Sequence, residues 1–119
     1  EEKGRIEADI SLQPALISDK MLLRVELLSY RPYSLEQIPV EEKYLPVIKK
    51  ILDKDPLQLV AYWSIDSHYE DGINKPDAYL RKENEGIKTF YEAIGSDFGP
   101  VCIKVVDVFG NSAILTAEL

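Results

Sequence analysis

Asp66, His68 and Glu70 stand two residues apart in SIDSHYED. On an extended strand that spacing puts three side chains on one face, where with Asp71 they could reach a single metal ion. His68 is the only histidine. A zinc site would therefore take its other ligands from carboxylates, and calcium would want more oxygens from a loop. A small metal-dependent enzyme is the function such a cluster would imply. The plainer expectation is a solvated strand face that runs into a turn. Ser64, Ser67 or Ser112 could be joined with His68 and an aspartate as a hydrolytic triad, but no Gly-x-Ser-x-Gly elbow accompanies them. The string SDFG at 96–99 is shared with protein kinases. It lacks the glycine-rich loop, strand lysine and catalytic loop that make the string chemical there. Hence no catalytic residue and no cofactor-binding residue is assigned, no cofactor is expected, and Asp66, His68 and Glu70 remain the metal candidates.

A second group closes the chain, in VCIKVVDVFGNSAILTAEL at 101–119. Asp107, Gly110 and Asn111 interrupt two apolar runs. They fit a hairpin in which Asp107 caps turn amides and Gly110 or Asn111 takes a positive φ. A third group is aromatic. Seven tyrosines suit half-buried strand faces, where a ring packs and its hydroxyl stays wet. Tyr62, Tyr69, Tyr79 and Tyr91 are the candidates for an exposed patch that meets a partner. Trp63 could be a sugar platform, but a tryptophan on the third strand of a sandwich is more often core.

The elements that would hold these residues follow from periodicity. Ile6, Ala8, Ile10 and Leu12 alternate with Glu7, Asp9 and Ser11, giving a strand with one wet face. Gln13-Pro14 breaks it. Leu23, Val25 and Leu27 oppose Arg24 and Glu26 in a second strand, which pairs with the first as a hairpin or lies in another sheet. RPYSLEQIPVEEKY is irregular. LPVIKKILDKDP reads as one short helix, with Pro46 in its first turn, Leu45, Ile48 and Leu52 on one face widened by Val47 and Ile51, and Asp55-Pro56 at its end. In the third strand region Leu59, Ala61, Trp63 and Ile65 share a face, opposite Val60, Tyr62, Ser64 and Asp66. Asp71-Gly72 turns the chain. Residues 73–86 read as a long loop with room for one helical turn at PDAYLRKE. IKTFYEAI favours a strand by its β-branched and aromatic content. Val101, Ile103 and Val105 face the core. About six or seven short strands between turns fit a two-sheet sandwich with one helical insertion.

Composition sets the outer bounds. A chain of 119 residues reads as one domain, 1–119, large enough for a real core. With 14 basic and 21 acidic residues the net charge is -7. That field repels phosphate, so direct DNA binding and an anionic membrane surface are not expected. Cys102 is the only cysteine and sits among valines and isoleucines as a small buried hydrophobe. Without a disulfide, and with a charged start in place of a signal peptide, a cytoplasmic setting is expected. No apolar stretch reaches the length of a membrane span. The missing initiator Met suggests a fragment of something longer.

Two stretches carry a resemblance. DPLQLVAYWSIDSHYEDG, at 55–72, is similar to the Tyr-Trp, Val-Asp, Tyr-Asp-Gly segment in the C-terminal module of archaeal and bacterial adenine-specific DNA methyltransferases linked to type III restriction-modification. IKVVDVFGNSAIL, at 103–115, looks like the Val-Lys-Val-Val-Asp-Ile-Phe-Gly-Asn-Asp ending of that module. The same ending resembles polycystic-kidney-disease-type (PKD) domains, which are immunoglobulin-like sandwiches. The resemblance implies a PKD-type, immunoglobulin-like two-sheet sandwich. It also implies a non-catalytic accessory domain that docks on its own catalytic domain or on a partner subunit. The Phe-x-Gly-x-Gly and Asp-Pro-Pro-Tyr stretches of the methyltransferase itself are not in this sequence, so the appendage without the enzyme is what the likeness implies. An adhesion or carbohydrate-binding sandwich of an exported protein is the alternative.

Overall fold

The computed structural model describes residues 4–16, 18–32 and 40–119. Most of the irregular stretch expected after the second strand, at 33–39, lies outside them. The chain order is β1 (Gly4–Pro14), β2 (Met21–Pro32), a 3-10 turn (Glu42–Tyr44), α1 (Leu45–Lys54), β3 (Val60–Asp66), β4 (Ala78–Glu83), β5 (Gly86–Ile87), β6 (Phe90–Gly95), β7 (Val101–Asp107) and β8 (Ser112–Ala117). Two antiparallel sheets result, one ordered β1-β2-β6 and the other β5-β4-β3-β7-β8. They stack as a sandwich around one core. Leu23, Val25, Leu27 and Tyr30 come from the first sheet, and Trp63, Ile65, Val101, Ile103 and Val105 from the second. Each of these is 0–1% exposed, and burial of each such side chain contributes about 1.5–3 kcal/mol.

The alternation read in β1 and β2 holds, and the two pair with each other as a hairpin. The pairing runs on to Pro14 opposite Met21, so Gln13-Pro14 does not end the strand. β1 is an edge, and a proline whose missing N–H faces away from the ladder is tolerated there. Gly4 answers a close approach. A Cβ at this position would sit 2.8 Å from the Arg31 carbonyl oxygen and 2.8 Å from the Tyr30 ring.

Three further expectations are corrected. Val60 does not share a face with Tyr62. The β3–β7 register shifts between them, and this extra residue turns Val60 into the main core beside Trp63. PDAYLRKE holds no helical turn but supplies β4. Extended, it sets Leu80 opposite Trp63, where it is 7% exposed. Third, Val47 and Ile51 do not widen the buried face of α1, being 54% and 40% exposed. The helix is held by Leu52 and Ile48 against Leu59, Val40 and Phe109, and by a 2.7 Å ion pair from Arg31 of β2 to Asp53. It therefore closes the end of the sandwich that carries the Phe-Gly-Asn bend. Among the described residues no helix is long and apolar enough to cross a membrane.

Candidate functional site

Asp107 ends β7 and is 2% exposed. Its Oδ1 accepts hydrogen bonds from the backbone N–H groups of Phe109 and Asn111, both at 2.9 Å. The Asp107 N–H donates to the Asn111 carbonyl at 2.9 Å, and Gly110 takes φ +88°. These are the hairpin roles expected from the sequence. The partner of Oδ2 was not expected. It is the hydroxyl of Tyr30, which donates at 2.9 Å from the facing sheet. Burial, then the bond to Asp107 and its negative charge, raise the Tyr30 phenol well above its ordinary value. With three donors on two oxygens, the carboxylate has its hydrogen bonds inside the fold.

Asp66, His68 and Glu70 do not form one face. β3 stops at Asp66, and the chain turns before His68. Asp66 is 2% exposed. Its Oδ1 accepts from the His68 N–H at 2.9 Å, and its Oδ2 from the Lys75 N–H at 2.8 Å. The acid is bent back to cap the loop that follows it, away from any shared ligand position. Glu70 instead bridges to Ile73 across Asp71 and Gly72, both at positive φ of 56° and 70°, as a two-residue hairpin turn requires. Among the described residues no three His, Cys, Asp or Glu side chains converge on a point that could hold a metal.

A different constellation does assemble around His68. The Ser67 hydroxyl donates to Asp77, and lies 3.2 Å from His68 Nδ1. His68 Nε2 faces Asp97 at 3.5 Å, and the imidazole lies 5.9 Å from the Phe98 ring. Serine, histidine and aspartate are thus in contact, but in the wrong sense for catalysis. The serine hydroxyl donates to Asp77, so its proton is directed at that carboxylate and away from His68 Nδ1, where a general base would have to receive it. Ser67 is also 2% exposed, out of reach of a substrate. What the cluster does is join two loops. The Gly99 N–H donates to the Ser67 carbonyl at 2.9 Å, and the Tyr69 N–H to the Pro100 carbonyl at 3.0 Å.

The four candidate tyrosines separate. Tyr62 and Tyr79 meet on the outer face of the five-stranded sheet, with ring centroids 6.1 Å apart. The Arg81 guanidinium lies over both rings, 5.3 Å from Tyr62 and 5.9 Å from Tyr79. Cross-strand register explains the group. Tyr62 is opposite Arg81 in β4 and Val106 in β7, and the next outward row is Tyr79, Ser64 and Lys104. Tyr69 sits elsewhere, in an open cleft of about 470 Å³ with Glu70, Asp71, Pro100, Thr116, Ala117 and Glu118. Tyr91 is corrected as a patch residue. It lies on β6 opposite the fully buried Val25 and packs on the core, and burial followed by the Asp77 charge raises its phenol. Trp63 is 0% exposed and donates its indole N–H to the Lys88 carbonyl at 2.7 Å, so it is no sugar platform. Cys102 is buried as expected, and burial pushes its thiol up.

Comparison with known proteins adds one partial likeness. Neither a protein-family profile nor a solved structure matches the chain. A cysteine–tRNA ligase of Hahella chejuensis (strain KCTC 2396) is 35% identical to it over 52 residues, which make up 44% of this chain and 11% of that protein. The chain thus spans a small part of that relative's length. Sequence reasoning had named Tyr62 and Tyr79 but missed Arg81, Asp77 and Tyr30. The signal for Arg81 was present in Tyr79-Leu80-Arg81, where a period of two puts Tyr79 and Arg81 on one side of Leu80.

Proposed function

We propose that this chain is a non-catalytic interaction domain that docks a protein partner on the outer face of its five-stranded sheet, through Tyr62, Tyr79, Arg81 and Val106. The observation that carries the reading is the Arg81 guanidinium lying over two tyrosine rings on a solvent-facing sheet. Tyrosine and arginine are the residues that most often dominate binding energy at interfaces. Rings and guanidinium stacked before contact lose less conformational entropy on binding. The internal satisfaction of Asp66 and Asp107 supports the non-catalytic half of the reading.

The fold subtype we propose is the PKD-type, immunoglobulin-like sandwich. The parent is a cytoplasmic DNA-modification protein of the adenine methyltransferase type, and the partner is its catalytic domain or another subunit. The two stretches that resemble the methyltransferase module map onto β3 with its following turn and onto the closing hairpin. Their acids bond inward, as an appendage without the enzyme implies. A match confined to 11% of a much larger protein is in keeping with a unit carried in long chains. The net charge of -7 supports a protein partner over DNA.

The test is a titration of the purified chain with the separately expressed remainder of the protein that carries it. Binding is expected, and Arg81→Ala or Tyr79→Ala should weaken it about tenfold or more without moving the thermal midpoint. A wild-type chain that binds neither that remainder nor any subunit of its complex removes the proposal.

A further inference from the structure

β8 is the last strand of the five-stranded sheet and, among the described residues, pairs only with β7. Half of its peptide groups therefore point away from the sheet, with no ladder partner among the described residues on that side. β1 of the facing sheet runs nearby but forms no ladder with it. The other edges are blunted. β1 carries Arg5, Glu7 and Asp9, a register shift at Glu7/Ala8 and Pro14. β6 carries Glu92, ion-paired to Arg24 at 3.1 Å, and β5 is two residues long. β8 reads SAILTA, with no charge, no proline and an unbroken register. On its outward side Ile114 is 40% exposed.

We infer that the β8 edge pairs with the β8 edge of a second copy of this chain, making one continuous ten-stranded sheet. A two-fold interface must be self-complementary, and side chains directly opposite in an antiparallel pair must share a face. Centring the two-fold on Ile114 meets both conditions. Ile114 then faces Ile114 of the second copy, Ala113 faces Leu115, and Ser112 faces Thr116. Charge favours this edge over the others in a chain of net charge -7, because no ionised side chain on β8 opposes its copy. The nearest outward cation is Lys104, opposite Ile114 in β7. It would stand three strand spacings, about 14 Å, from Lys104 of the second copy. That exceeds the screening length of about 8 Å in physiological salt. The pairing uses a different surface from the Tyr62–Tyr79–Arg81 patch and stands or falls independently of it.

Sedimentation equilibrium on the purified chain tests the inference, with a mass of twice 13.5 kDa expected at high concentration. Dimerisation should tighten as salt is raised, since each copy carries the same net charge. Ile114→Lys sets two ammonium groups opposite each other across the axis and should leave a monomer. Ile114→Thr keeps a β-branched strand residue and should weaken the dimer while retaining the fold, which circular dichroism checks. Ile114→Cys with an added oxidant should give a disulfide-linked dimer, whereas Ser112→Cys, which faces Thr116, should not. A wild-type monomer at every concentration overturns the inference, and so does a dimer indifferent to Ile114→Lys or an equal yield of crosslink from both cysteine variants.

Discussion

The Tyr30 hydroxyl donates a 2.9 Å hydrogen bond to Asp107 Oδ2, 77 residues away in sequence, and ties the three-stranded sheet to the closing bend of the five-stranded one. Both residues are within 2% of full burial. The same carboxylate organises the Phe-Gly-Asn bend through its other oxygen. One acid thus fixes both a local turn and the stacking of two sheets. The Gly4 backbone makes room for it, because a side chain there would strike the Tyr30 ring.

Tyr30→Phe removes the donor and keeps the ring. A buried carboxylate oxygen is then left without its partner, which costs about 1–3 kcal/mol, with the upper part favoured by the charge. Urea unfolding should show a lower midpoint with an unchanged slope, since the surface exposed on unfolding is the same. Asp107→Ala should cost more, because the bend amides lose their acceptor as well. A double variant costing as much as the two single ones added would mean that the contact is not made.

Alkaline pH should act on the same bond. Burial, reinforced by the bond to Asp107 and its charge, raises the Tyr30 phenol above the ordinary 10.0. Folding therefore favours the neutral phenol. Its contribution to stability is fully present below pH 10, and is lost as pH rises and the unfolded chain gives up its proton first. Tyr91 is raised from the same value by burial, and Cys102 from 9.0, so losses begin near pH 9 with the thiol and deepen above pH 10. A stability–pH curve should fall across this range, and the curve of Tyr30→Phe should fall less steeply above pH 10. Parallel curves for the two proteins would rule out a Tyr30 contribution.

The strands were legible where alternation and burial agree. Leu23, Val25 and Leu27, and Val101, Ile103 and Val105, point inward as period two requires. The helix was legible in its bounds but not in its face. Val47 and Ile51 look as apolar as Leu52, yet a helix laid across the end of a sandwich packs Leu52 and Ile48 on Leu59, Val40 and Phe109 and leaves Val47 and Ile51 exposed. β4 was hidden because Lys75-Pro76, Asn84 and Gly86 read as loop chemistry, and because Leu80, opposite Trp63, is the one buried residue in the strand. The candidate site failed for a related reason. A spacing of two is a shared face only while the strand lasts, and Asp66 ends β3 by turning its own carboxylate onto the following amides. Nothing local to Tyr30 announces Asp107, since that pairing exists only once two sheets have stacked.

Asp66 gives the sharpest separation of an architectural acid from a metal ligand. Its two oxygens accept from the backbone N–H groups of His68 and Lys75 at 2.9 and 2.8 Å. Asn at this position offers one acceptor oxygen, so its amide group must confront one of those two donors. Hydrogen bonds to a charged group contribute about 1.5–3 kcal/mol each, and Asp66→Asn should destabilise the fold by about that much at neutral pH. Added zinc or calcium should leave the wild-type thermal midpoint where it is. A bound ion would raise that midpoint with concentration, adding about 2.7 kcal/mol of stability at a hundredfold excess over its dissociation constant. A midpoint that climbs with zinc in the wild type, and not in Asp66→Asn or His68→Ala, would return these residues to metal chemistry.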